Sequence, residues 1–150
     1  MSKILFISSS QHFVDTFLKD LIIFLSKDHK VSLATRIKNS SIYSSKIDLY
    51  NIPINRKISP ISDLLTSIIF LKYLFKIEPD KIVTATPKTI IFGILARIFK
   101  PKIYRIHIYT GFSWPNMTGF KRKLLIYLDK LNIFFADKII FDSQSQIDFL

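Results

Sequence analysis

The chain has 150 residues, enough for one ordinary domain able to bury roughly 70% of the surface its unfolded form exposes. A hydrophobic content of 49% with 14 phenylalanines, against three glycines and six prolines, excludes a disordered or low-complexity chain, and the absence of cysteine removes disulfides, thiolate nucleophiles and Cys-based zinc sites. Lysine and arginine outnumber aspartate and glutamate 22 to 11, and the formal charge of +11 favours an anionic partner: a membrane surface, a nucleic acid or a phosphorylated substrate.

"KILFIS" at residues 3 to 8 is a compact apolar run followed by serines, the pattern of a buried strand with a polar carboxyl end. It is not read as a signal peptide, because Asp15, Lys19 and Asp20 follow before any cleavage context. Residues 12 to 26 place Phe13, Phe17, Leu21 and Phe24 at helical spacing, which predicts an amphipathic helix with those side chains inward. "VSLATR" at 31 to 36 supplies a second strand and "IDLYNIPI" at 47 to 54 a third. Ser59-Pro60 opens a helix as N-cap and first helical residue. Leu64, Ile68, Leu71 and Phe75 form its expected core face, and Glu78-Pro79 stops it.

The pattern then recurs. "KIVTAT" at 81 to 86 is a strand, and Thr86-Pro87 begins a helix through about Phe99 with Ile90, Ile94 and Ile98 on one side. "KIYRIHIYT" at 102 to 110 is the next strand, and residues 119 to about 135 the next helix, with Leu124, Leu128, Leu131 and Phe135 expected inward. "KIIFDS" begins another strand, and Ser143 with Gln146 has the spacing of a capping box for a last helix. The strand entries "DKIV" at Asp80 and "DKII" at Asp137 read alike, as two occurrences of one physical unit. Strands alternating with helices predict a parallel sheet covered on both faces, a three-layer Rossmann-like α/β fold whose ligands gather beyond the carboxyl ends of the strands.

Three polar tips therefore become candidate contacts. Ser9 and Ser10, with His12, offer hydroxyls and helix-terminal amides to a sugar or phosphate, while Ser10 alone also suits a plain cap. No closely spaced glycines follow the first strand, which argues against a nicotinamide fingerprint, and no Walker lysine motif is present. Thr86 and Lys88 stand where an anion or a simple cap is possible. Thr110 and Gly111 end a strand, where glycine permits a sharp turn or close approach, and Phe112, Trp114 and Asn116 combine apolar walls with hydrogen-bonding groups. That mixture suits a sugar, or a lid packed on the protein's own core. His107 lies inside a strand, where a packed, hydrogen-bonded histidine fits better than a base. No metal site and no catalytic triad are nominated.

Lys121, Arg122 and Lys123 begin a helix on which Tyr127, Lys130 and Phe134 continue a basic and aromatic stripe. The stripe suits an anionic membrane surface or plain solvation. Any membrane contact is expected to be peripheral, since no run reaches the roughly 18 uncharged apolar residues of a span. Nucleic acid is disfavoured, because no reader helix or aromatic strand signature accompanies the charge.

The order of these strands and loops resembles the N-terminal domain of family 4 glycosyltransferases of bacterial polysaccharide assembly. The resemblance is carried by "KILFISSSQHF", "VSLATR", "RKISPISDL", "TATPKTIIFGILARIFK" and "YTGFSWPNMTGFKRKLLIYLDKLNIFFADKIIFDSQSQIDFL". It implies the N-terminal half of a GT-B fold and retaining transfer from a nucleotide sugar to a polyprenyl-diphosphate-linked glycan or another sugar acceptor, in lipopolysaccharide or capsule synthesis. The implied location is the cytoplasmic face of the bacterial inner membrane, with no cofactor besides the donor. Ser9 and Ser10 fall in the loop that borders acceptor and donor phosphates, Gly111 matches the family glycine, and Thr110 stands where many members have histidine. The family's donor-binding C-terminal domain, with its paired glutamates, would lie beyond Leu150. The chain by itself is accordingly expected to be truncated and inactive, needing that domain or a separate catalytic subunit. The alternatives are a noncatalytic membrane-recruitment subunit of a two-chain glycosyltransferase and an unrelated Rossmann-like binding domain.

Overall fold

A computed structural model describes residues 1–37, 47–55 and 59–148. Arg56, Lys57 and Ile58 of the "RKISPISDL" motif, and the final Phe149 and Leu150, lie outside the described residues.

Six parallel strands form one sheet: β1 (Lys3–Ser8), β2 (Lys30–Thr35), β3 (Ile47–Asn51), β4 (Lys81–Ala85), β5 (Tyr104–Tyr109) and β6 (Lys138–Phe141), in the order β3-β2-β1-β4-β5-β6. This is the doubly wound Rossmann order, whose direction reverses between β1 and β4. On one face lies the continuous helix made of α1 (Gln11–Phe13), a π-helical turn (Val14–Leu18) and α2 (Lys19–Leu25). On the other lie α3 (Pro60–Ile77), α4 (Ile90–Phe99) and α5 (Gly119–Phe135), and a short α6 (Gln144–Ile147) follows β6. A single turn of 3-10 helix, Pro87–Thr89, leads into α4.

Alternation along the strands divides the core in two. Ile4, Phe6, Val31, Leu33 and Val83 meet Val14, Leu18 and Ile22, whereas Leu5, Ile7, Ala34 and Ile82 meet Phe70, Leu74, Phe92 and Ala96. Strands buried on both sides are near-continuous apolar runs, which is why β1 and β2 stand out in the sequence.

The choice of inward stripe differs from the sequence expectation in each long helix. Phe17, Leu21 and Phe24 are exposed, Phe13 is half-buried against the core, and Val14, Leu18 and Ile22 face the sheet. Leu64, Ile68 and Phe75 are likewise outward and Leu71 is half-buried against the core, while Thr66, Phe70, Leu74 and Ile77 are buried. In α4, Ile90 is inward with Phe92, Gly93 and Ala96, but Ile98 is exposed and Ile94 half-buried. In α5 the innermost residues are Asp129 and Asn132; Leu124 is exposed, and Leu128, Leu131 and Phe135 are only half-buried. In the first helix, α3 and α4 two adjacent stripes are apolar, and periodicity finds the helix without selecting its buried side; in α5 the buried side is polar, so apolar periodicity points away from it. The expected capping box is also replaced. Ser143 shares a hydrogen bond with Ser145, and the Gln146 amide donates to Asp142.

The repeated "DK" entries have a defined role. Asp80 Oδ2 accepts the Lys3 backbone N–H at 2.7 Å, and Asp137 Oδ2 accepts that of Arg105 at 2.7 Å. Each aspartate thus closes the amino end of a neighbouring strand with a charge-assisted bond. Asp137 also pairs with Arg97 of α4 at 2.8 Å.

Candidate functional site

The loops after β1 and β4 meet where the strand order reverses. Ser8, fully buried, turns the chain by donating its hydroxyl to Ser10 O and accepting Ser10 N–H. Ser9 then shares a hydroxyl bond of 3.1 Å with Thr86, whose Oγ1 also accepts the Ser9 N–H at 3.4 Å. Ser10 Oγ accepts the Phe13 N–H and so acts as the N-cap of α1. His12 is exposed beside them.

Thr86 does not use its side chain as a cap. Its backbone has φ 110° and ψ 142°, a region that costs a non-glycine residue about 1–3 kcal/mol and persists only when neighbours enforce it. The enforcement is visible: its carbonyl accepts both the backbone N–H and the hydroxyl of Thr89, at 3.0 and 2.8 Å, while its hydroxyl is held by Ser9. Lys88 reaches away to α3, pairing with Asp63 at 2.7 Å with little of its side chain exposed.

The third loop follows β5. Gly111 has φ 125°, and a Cβ there would meet nothing within 4 Å, so a turn and not a close approach requires the glycine. Thr110 is exposed at the strand end and Asn116 at the tip of a turn closed by Met117 N–H to Trp114 O at 3.0 Å, with Pro115 in its favoured second position. Trp114 points inward: it is 7% exposed, its ring lies 5.3 Å from that of Phe112, and the Arg122 guanidinium sits 5.7 Å above it. A cavity of about 20 Å³ lies among Pro87, Ile90, Tyr109, Gly111, Phe112 and Trp114, with α5 behind. It holds about one water-sized guest. A larger ligand would have to lie over this loop rather than within it.

What holds the loop is a buried polar chain that the sequence expectations missed. Trp114 Nε1 donates to Asp129 Oδ2 at 2.8 Å, and the Tyr109 hydroxyl donates to Asp129 Oδ1 at 3.0 Å. Asn132 Nδ2 donates to the Tyr109 hydroxyl at 2.8 Å, and Arg105 donates to both the Asn132 side chain and its carbonyl. Burial pushes the Asp129 carboxyl above the usual carboxylate range, opposed by the Trp114 and Tyr109 donors. Burial likewise lowers Arg105 to about 10, so it remains charged at neutral pH. His107, one row from Arg105 on the same face, is lowered to about 3 by burial and then by Arg105; it is neutral and bonded to Thr84 Oγ1 at 2.7 Å. The signal was present as polar alternation at Arg105, His107 and Tyr109, and as Asp129 and Asn132 one turn apart on a helix whose other charged residues are all basic.

Lys121, Arg122, Lys123, Tyr127 and Lys130 are all exposed on α5, and of these Arg122 meets the buried chain through the Trp114 ring. Among the described residues no cluster of three or more His, Asp or Glu side chains is placed to hold a metal, and no helix is long and apolar enough to cross a membrane.

The sequence profile described as "Glycosyl transferase 4-like" matches residues 3–143. No curated protein sequence matches the chain significantly. Among solved structures, sucrose-phosphate synthase from Thermosynechococcus elongatus superposes with a TM-score of 0.74 at 14% identity, covering 100% of this chain and 44% of that one. Anabaena HepE in complex with UDP and glucose gives 0.69 at 16%, covering 97% and 39%. UDP-GlcNAc 2-epimerase from Methanocaldococcus jannaschii gives 0.60 at 18%, covering 95% and 40%. The chain thus spans less than half the length of these proteins, and its fold is the Rossmann-like half expected of a GT-B enzyme.

Proposed function

Because the chain belongs to the glycosyl transferase 4-like family, we propose that it is the acceptor-side part of a retaining glycosyltransferase that uses a nucleotide sugar. The observation that carries the proposal is the joined edge at the strand reversal. Ser9 and Thr86 lock two loops together there, and Pro87 and Ile90 line one cavity with Gly111 and Phe112 of the third. This edge presents hydroxyls, a glycine turn and aromatic rings, which match the hydroxyls and apolar faces of a sugar. Among the described residues that line the cavity the one acid is Asp129, and it is occupied by Trp114 and Tyr109.

In the reaction the donor's anomeric C–O bond breaks, the nucleoside diphosphate leaves with the electron pair, and an acceptor hydroxyl oxygen forms the new bond on the same face as it loses its proton. Residues of this chain hold the acceptor hydroxyl in register, and the strained but over-determined Thr86 keeps that edge from relaxing. The donor is bound chiefly by a further domain or subunit, whose groups meet the developing charge. HepE, crystallised with UDP and glucose, supports a nucleotide-sugar partner. A lipid-linked or polysaccharide acceptor, with work in surface-polysaccharide assembly at the cytoplasmic face of the inner membrane, fits the exposed Lys121, Arg122, Lys123, Tyr127 and Lys130 of α5.

The test is release of nucleoside diphosphate from a panel of nucleotide sugars by the full-length protein, with and without a membrane lipid extract. The expected result is release that depends on one donor and rises with the extract, with the product's anomeric configuration retained by NMR. No release from any donor, or inversion, would sink the proposal. Catalysis found only after adding a separately encoded chain would favour the two-chain alternative.

A further inference from the structure

We infer that the outward side of α3, continued by the end of α4, is a docking surface for an anionic lipid bilayer. The starting observation is an inversion. On α3 the inward positions include Thr66, whose hydroxyl is consumed by the Ser62 carbonyl at 2.7 Å, whereas the outward positions are Ile61, Leu64, Leu65 and Ile68, at 78%, 64%, 57% and 57% exposure. Phe75 extends the same stripe one turn beyond Lys72, half exposed. Single exposed leucines are unremarkable, but a contiguous aliphatic stripe along one helix marks a surface with a partner.

The stripe does not stop at the end of α3. The Phe75 and Phe99 rings meet edge to face at 6.4 Å, and Lys100 Nζ lies 5.3 Å from the Phe75 ring centre. Ile98 and Phe99 of α4 are exposed beside this contact.

Charge chooses the partner. The exposed polar side chains within α3 are Lys72 and Lys76, and both acids at its ends are paired, Asp63 with Lys88 and Glu78 with Lys100. Aliphatic side chains in the first half of α3, followed on the same side by Lys72 and then Lys76, suit an interfacial helix whose apolar groups enter the headgroup boundary while the long lysine stems carry their ammonium groups to the phosphates. A second copy is the poorer occupant, because a self-complementary contact would bring lysine-bearing faces of two +11 chains together. The inference takes its kind of partner from the membrane contact proposed for α5, but it moves the apolar anchorage to a different helix and to uncharged side chains.

The experiment is flotation of the full-length protein with vesicles of phosphatidylcholine, with and without phosphatidylglycerol, at low and high salt. A quadruple variant (Ile61→Gln, Leu64→Gln, Leu65→Gln, Ile68→Gln) and the milder single variant Leu64→Gln are compared with Lys123→Gln/Lys130→Gln on α5. Circular dichroism melting confirms that each is folded. The inference expects binding to the anionic vesicles, a loss of at least about tenfold in the quadruple variant, and a smaller loss in Leu64→Gln. It also expects binding of the parent protein that weakens at high salt without vanishing. Unchanged partitioning of the quadruple variant, with loss in the α5 variant, overturns the inference and leaves the α5 contact standing. No binding to any vesicle overturns both. A dimer in sedimentation velocity that the quadruple substitution abolishes, without vesicle binding, assigns the stripe to a second copy and also overturns it.

Discussion

The two edges of the sheet are built in opposite ways. At the amino edge, Asp80 and Asp137 spend carboxylates on the backbone N–H groups of Lys3 and Arg105, closing neighbouring strands with bonds of 2.7 Å each. At the carboxyl edge, Ser9 and Thr86 meet through hydroxyls, Thr86 is held at φ 110°, and Gly111 turns the chain at φ 125°. One edge uses charge to finish the fold. The other accepts strain and leaves polar tips exposed, which is where ligands of this topology gather. The edges are linked, because Arg105 begins the buried chain that runs through Asn132, Tyr109 and Asp129 to Trp114 in the third loop.

The sharpest way to break the link is Gly93→Ala. A Cβ there would lie 2.7 Å from Arg105 Cζ, overlapping a guanidinium that is fully buried and already bonded to Asn132. We expect a loss of about 1–3 kcal/mol in urea unfolding, the overlap outweighing the helix propensity that alanine gains over glycine. A change below about 1 kcal/mol would show that Arg105 is freer than its burial suggests. Next is Asp137→Ala, which leaves the Arg105 N–H and the Arg97 guanidinium without this acceptor. It should cost about 2 kcal/mol. A large effect on acceptor KM in a folded variant would contradict the division of labour between the edges.

A smaller expected effect concerns His107. Its folded pKa is depressed to about 3 from 6.5, so the neutral form is the one compatible with the fold. The stability this represents is present above the unfolded pKa and is lost as pH falls from 6.5 towards 3. NMR of the imidazole should show no titration between pH 8 and about 5. A midpoint near 6 would mean that the ring is solvated and the face around Thr84 open.

Much of the fold was legible because buried parallel strands are apolar runs with polar ends. "KILFIS" and "KIVTAT" locate β1 and β4 within a residue, and the serine, threonine and glycine tips locate the carboxyl edge. The inward helix stripes were not legible, since Val14-Leu18-Ile22 and Phe13-Phe17-Phe24 are both apolar and only the sheet decides between them. Similarly, the sequence leaves Trp114 as a ligand wall or as a lid on the protein's own core; a bond to an aspartate fifteen residues away turns it inward as the loop's anchor. The two "DK" entries were visible as a repeat; their role depends on strands from elsewhere in the chain.

The most direct measurement of the central claim is acceptor kinetics of the full-length protein carrying Gly111→Ala, with Asp137→Ala as the control at the opposite edge. A Cβ at Gly111 meets no atom within 4 Å but cannot hold φ 125° without strain, so the turn shifts while the core stays intact. The account predicts an acceptor KM raised about tenfold with the donor KM unchanged, and no such change in the control. Unchanged acceptor KM in Gly111→Ala, or an equal rise in both variants, would contradict it.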